Sequence, residues 1–168
     1  MNQMQPTAPN DTVMVENPGG QSRVIVVCEH ASCFIPPAFG DLGLDAVARQ
    51  SHIAWDLGAL EVARALSVRL DASMVASNVS RLVYDCNRPP SAPDAMPAQS
   101  EAILIEGNAH LTAAQRRDRT SRYYDPFRAC LAATIAARQN PVVVTVHSFT
   151  PVYHGHPRTV EIGILHDA

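Results

Sequence analysis

The chain has 168 residues, enough for one domain with a real core and too few for two comfortable ones. Hydrophobic residues make up 46% and charged residues 17%, a globular composition that excludes an intrinsically disordered chain. The net charge of −3 advertises no nucleic-acid surface, and no apolar run approaches the roughly 18 residues a membrane helix needs.

Residues 1–22 lack a basic n-region and an apolar h-region, so they are not a signal peptide; their Pro, Asn and Gly content predicts a flexible leader. Residues 23–28 read as a short strand buried on both faces, of the parallel-sheet kind, running into Glu29 and His30. A loop follows, because Pro36 and Pro37 forbid a helix interior. Over 55–70, Ala59, Val62, Ala63, Leu66 and Leu70 fall at helical spacing and predict an amphipathic helix. A strand near 72–76 comes next, and Leu82-Val83-Tyr84 reads as another, ended by Asn87-Arg88-Pro89-Pro90. Residues 91–110 read as a long surface loop. A helix is expected from 111, with Thr112 and Gln115 in capping-box spacing, a kink or division at Pro126, and a stop at Asn140-Pro141. VVVTVH is then a strand ending on His147, and RTVEIGIL, residues 158–165, a further strand. Strands alternating with helices predict an α/β sheet. The chain stops just after this last strand, so a single domain over 23–168 reads as incomplete.

Two buried strands that each end on a histidine suggest one site, because ligands of open α/β sheets bind beyond the carboxyl ends of the strands. His30 and His147 are candidate metal ligands, two imidazoles and a carboxylate being a standard catalytic zinc set; each could instead be a hydrogen-bonded strand-end residue. Asp56 is a third ligand, a group orienting a histidine, or a helix-start acid. Glu29 is the competing carboxylate, but neighbours on a strand point to opposite faces, so it can join His30 only if the strand has already ended. Arg81 and Arg88, with Asn87, suit an anionic substrate carrying a carboxylate, unless Asp85 takes an arginine in a structural salt bridge. His52, His110, His154, His156 and His166 rank lower. Cys28 or Cys33 with His30 raises a thiol nucleophile, against which Cys28 reads as a buried structural thiol. The four cysteines form no CxxC pair and, without a secretion signal, predict reduced thiols in a cytoplasmic protein. All 13 basic residues are arginine, which excludes a Schiff-base or P-loop lysine.

The motifs CEHASCFIP, HIAWDLGA, SRLVYDCNRP, and VHSFTP followed by RTVEIGILHD, in this order over residues 23–168, resemble the N-formylglutamate amidohydrolase family. The resemblance implies a three-layer α/β/α fold with a mixed, mainly parallel sheet, similar to the zinc carboxypeptidases and aspartoacylase and phosphorylase/hydrolase-like, with a metal site at the strand ends. It implies hydrolysis of the N-acyl amide of an acidic amino acid, with formate and glutamate as products in the type reaction, a step of histidine degradation. On that analogy zinc is held by His30 and His147. The related enzymes carry a glutamate three residues after the first histidine; here that position is Cys33, so Asp56 or Glu29 supplies the third ligand, and Asp56 is taken. Arg81 polarises the scissile carbonyl and is grouped with Glu29 as catalytic. Asn87, Arg88 and Ser148 form the substrate-binding set. The expected partner is a small anionic N-acyl amino acid, with no nucleic acid, no membrane, and a homo-oligomer allowed. Family members run beyond residue 168, and the glutamate expected as their general base lies in that later part. A non-catalytic module that binds an acidic metabolite or a partner chain is the standing alternative.

Overall fold

The structure, a computed structural model, describes residues 12–153 and 155–166. The first half of the expected leader, residues 1–11, and His154 lie outside the described residues. The rest of that leader is ordered differently: Val13–Glu16 forms strand β1, paired antiparallel with a later strand. Its VMVE sequence does not alternate; Val13, Met14 and Glu16 are half-buried and Val15 is exposed, at the edge of the sheet.

Strand β2 is Val24–Cys28, followed by a short helix α1 at Ala46–Gln50, helix α2 at Ala59–Leu70 and strand β3 at Ser73–Ser77. A small hairpin, β4 at Gln99–Ser100 and β5 at Ile103–Leu104, lies within the expected 91–110 loop. Helices α3, Ala113–Arg119, and α4, Asp125–Ala136, precede strand β6 at Val142–Thr145. A second hairpin pairs β7, Val152–Tyr153, with β8, His156–Pro157.

The main sheet has the order β1-β3-β2-β6, with β3, β2 and β6 parallel and β1 antiparallel. Alternation of side chains along β2 and β3 feeds two cores, one on each face. Ile25, Val27 and Val75 point into one, where Phe127 of α4 packs. Val26, Cys28 and Met74 point into the other, under Ala59 and Ala63 of α2. The result is the mixed, mainly parallel three-layer α/β/α arrangement expected. Ile25, Val26, Val27, Met74 and Val75 are fully buried, and each such side chain contributes about 1.5–3 kcal/mol. Of the apolar positions expected to face the sheet from α2, Val62 and Leu70 instead face solvent, 52% and 44% exposed, so alanines make the contact and bring the helix close.

Thr112 and Gln115 close the expected capping box. Division at Pro126 takes the form of a π-helical turn over 120–124. Pro126 has no N–H for the carbonyl four residues back, and the Asp125 N–H reaches five residues back to Thr120 instead.

Two expected strands are absent. Leu82-Val83-Tyr84 is a buried turn: the Val83 N–H donates to the Ser80 carbonyl at 2.9 Å and the Leu82 N–H to Ser80 Oγ at 3.2 Å. A short buried apolar run has no period that separates strand from turn, and a serine that accepts from the backbone two residues on favours the turn. Residues 158–165 also form no strand; Ile162, Ile164 and Leu165 are 84–94% exposed, with no strand among the described residues paired against them.

Candidate metal centre

Strand β2 runs one residue past β6, whose last residue Thr145 lies opposite Val27, and the Val146 N–H still donates to the Val27 carbonyl at 2.8 Å. His30 and His147 each follow two residues after the last strand residue, and their ring centroids lie 4.9 Å apart. Because β2 ends at Cys28, Glu29 and His30 escape strand alternation and both reach this point. Asp56 is brought in by its own backbone, whose N–H donates to the His30 carbonyl at 3.0 Å.

The Asp56 carboxylate is not a helix cap: the N-cap of α2 is Gly58, held at φ 79, with no side-chain cap bond. Its Oδ2 lies 2.9 Å from His147 Nδ1 and 3.3 Å from His30 Nδ1, and accepts from the Ser148 N–H at 3.3 Å. Its Oδ1 is 3.6 Å from the Arg81 guanidinium. Ligand atoms of His30, Asp56 and His147 all lie within 4.8 Å of one another, close enough to hold one metal ion.

Asp85, weighed from sequence only as a salt-bridge partner, proves central. Its Oδ2 does pair with Arg81, at 2.9 Å. Its Oδ1 lies 2.7 Å from His30 Nε2 and also accepts the Asn87 N–H. A His30 that donates Nε2–H to Asp85 has a lone pair on Nδ1, the nitrogen turned to Asp56. The local signal was an aspartate that bonds the backbone two residues on, which fixes its carboxylate inside a buried turn.

Burial works against the charge on each of these groups, and the partners override it for all but Glu29. Burial would lower His30, but hydrogen bonds to Asp56 and Asp85 leave it raised. Burial would raise Asp56 and Asp85; hydrogen bonding with His147 and His30 for Asp56, and with His30 for Asp85, holds both below the usual carboxylate range. Glu29, 5% exposed, is pushed up by burial. Its Oε2 is buried without a hydrogen bond, 3.5 Å from His147 Nε2. With Glu29, Asp56 and Asp85 ionised, Arg81 leaves two negative charges uncompensated while the histidines are neutral. A divalent cation held there would cancel them.

A cleft of about 760 Å³ opens beside the cluster, with Asp56, Arg81, Asp85 and Ser148 on its wall. His52 and Glu101 line it too, joined at 3.0 Å. Asn87 and Arg88 are not on that wall: Arg88 Nε donates to Asp94 at 2.8 Å, and Asp94 faces the cleft. Glu29, His30 and His147 do not line it either; of the three metal-competent residues only Asp56 does. The Cys28 thiol is fully buried and pushed up to about 12 by burial, and burial raises Cys33 too, so neither offers a ready thiolate.

Fold and site together define an α/β chain with a metal-competent His-Asp-His centre at the carboxyl edge of its parallel strands. The sequence profile of the N-formylglutamate amidohydrolase family matches residues 22–168, and the chain belongs to that family. Gene product Atu2144 from Agrobacterium tumefaciens is similar in crystal structure, with TM-score 0.91 and 54% identity over 93% of this chain and 64% of that one. The N-formylglutamate amidohydrolase from Ralstonia eutropha JMP134 shares the fold, with TM-score 0.53 and 21% identity over 75% of this chain and 51% of its own. The chain thus spans between half and two thirds of the length of these two solved proteins. No curated protein matches it. No helix among the described residues is long and apolar enough to cross a membrane.

Proposed function

We propose that this chain carries the metal-binding and substrate-orienting residues of an amidohydrolase that cleaves the N-acyl amide of a small acidic amino acid, with N-formylglutamate as the reference substrate. The observation that carries this reading is the His30, Asp56, His147 donor set, beside a cleft that Asp56 itself lines. Two imidazoles and one carboxylate are the donor set of catalytic zinc, and the charge left over by the buried carboxylates fits a dication. His30 and His147 would hold it through Nδ1 and Asp56 through Oδ2. When bound, zinc supplies Lewis-acid polarisation of a carbonyl and water activation near neutral pH.

The chain's own residues do the rest. Arg81, anchored on Asp85, presents positive charge to the cleft where an amide oxygen gains negative charge during attack. Ser148 offers a hydroxyl on the same wall. Arg88 and Asn87 take the substrate's carboxylate, for which Arg88 must exchange Asp94; that pair is largely exposed and weak enough to give way. Water adds to the acyl carbon, the C–N bond breaks, and the amine leaves with a proton.

The test is zinc-reconstituted protein incubated with N-formyl-L-glutamate, followed by formate release and by calorimetric binding. Chelator-sensitive formate release that Arg81→Ala lowers at least tenfold is the expected result; neither binding nor release would sink the reading. A second reading, a non-catalytic binding module, is favoured by the apolar surface on β6 and beyond it, where Val142 and Val143 are 37% and 43% exposed and Ile164 is 89% exposed. Binding without formate release would select it.

A further inference from the structure

We infer that Glu29 is the positioning residue of His147: its carboxylate accepts the Nε2–H of the imidazole and so turns Nδ1 to Asp56 and to the metal. The inference rests on the metal reading above. It begins with register. Strands β2 and β6 pair Val24 with Val142 and Val27 with Thr145, and the same offset carried past the strand ends sets Glu29 level with His147.

Glu29 is 5% exposed, and its Oε2 is buried with no hydrogen-bond partner. The group facing that oxygen is His147 Nε2, at 3.5 Å. The other ring nitrogen, Nδ1, is already 2.9 Å from Asp56 Oδ2. His30 shows the same plan: Nδ1 toward Asp56 Oδ2, Nε2 against a second buried carboxylate, Asp85. Both rings therefore meet one oxygen through the same atom, and each is backed by its own acid.

His147 needs this support more than His30 does. His30 is 3% exposed and held at both nitrogens. The His147 side chain is 32% exposed and follows β6, an edge strand among the described residues. A ring in that setting can flip or change tautomer, and a carboxylate fixed on one nitrogen prevents both.

The experiment uses the full chain with 15N-labelled histidine. Long-range 1H–15N correlation reads the tautomer of His147, metal-free and with zinc. Competition against a chromophoric chelator reads zinc affinity. In the wild type, His147 is expected in the Nε2–H form at mildly alkaline pH; the Nδ1–H form would overturn the inference outright. Glu29→Met keeps the volume and removes the acceptor. It should mix the tautomers and weaken zinc binding by about 10- to 100-fold. Glu29→Gln, whose amide oxygen still accepts from Nε2–H, should restore most of the loss. An unchanged tautomer in Glu29→Met, or equal losses in the two variants, refutes the positioning role. If the wild type takes up no zinc, the metal reading fails, while the tautomer comparison still decides the role of Glu29. Should Glu29→Met not fold, the wild-type tautomer and the Glu29→Gln variant carry the decision.

Discussion

Replacing Asp85 by asparagine tests whether one buried carboxylate organises the site. Asp85 is 2% exposed and accepts three hydrogen bonds: from His30 Nε2 at 2.7 Å, Arg81 at 2.9 Å and the Asn87 N–H at 2.9 Å. Asparagine keeps the shape and one acceptor oxygen, but its amide must then face either the His30 ring N–H or the Arg81 guanidinium, donor against donor. Hydrogen bonds to charged groups are worth about 1.5–3 kcal/mol, and breaking a buried ion pair costs about 3–5 kcal/mol. The Arg81 share is discounted because that side chain is 29% exposed. A loss of about 3 kcal/mol follows, which for a chain of this size lowers Tm by roughly 6–12 °C. His30 also loses the partner that fixes its tautomer, so zinc affinity should fall about 10- to 100-fold. Urea denaturation followed by circular dichroism reads the first quantity in metal-free protein, and chelator competition the second. A variant within 0.5 kcal/mol and twofold of the wild type on both scales, thresholds set by about the error of such measurements, would refute the reasoning.

Other consequences are open to direct measurement. In metal-free protein the raised His30 contributes stability that is full below its unfolded value near 6.5 and is lost as pH rises through its folded value. The depressed Asp56 and Asp85 contribute stability that is present above about 3.9 and is lost as pH falls through their folded values. Metal-free protein should therefore be most stable between about pH 4 and 6.5, and stabilisation by zinc, which needs neutral His30, should grow from about pH 6 to 8. Thermal melts across that range check this, and a zinc increment independent of pH contradicts it. Away from the site, Arg119 is 3% exposed, donates to Asn108 Oδ1 at 2.7 Å and to the Val83 carbonyl at 3.2 Å, and lies over Phe39. Arg119→Met strands both acceptors and should cost about 2–4 kcal/mol by urea denaturation. A loss below about 0.5 kcal/mol would mean that the turn carrying Asp85 does not depend on this anchor.

The sequence was most legible where one physical rule acted alone. The all-apolar runs of β2 and β6 marked strands buried in a parallel sheet, and the histidines after them marked its carboxyl edge. The Thr112 and Gln115 box and the proline at 126 also acted locally, so the helix start and its division could be read. Leu82-Val83-Tyr84 was misread because three buried apolar residues carry no period, and Ser80 decided between strand and turn through contacts made in the fold. Residues 158–165 have strand composition but no paired strand among the described residues, and composition alone does not pair a strand. Asp56 was open between helix cap and ligand because both uses place an acid before a helix; only the position of its carboxylate separates them. Asp85 and the pairing of Glu29 with His147 depend on residues 55 and 118 positions away in sequence, which no local pattern encodes.

The most direct test of the account is zinc content per chain, measured by elemental analysis on protein purified without a metal-affinity tag. The account predicts about one zinc per chain, as three protein ligands at one centre require, and its loss in the His30→Ala/His147→Ala double variant. No zinc after reconstitution, or zinc retained by the double variant, would contradict it.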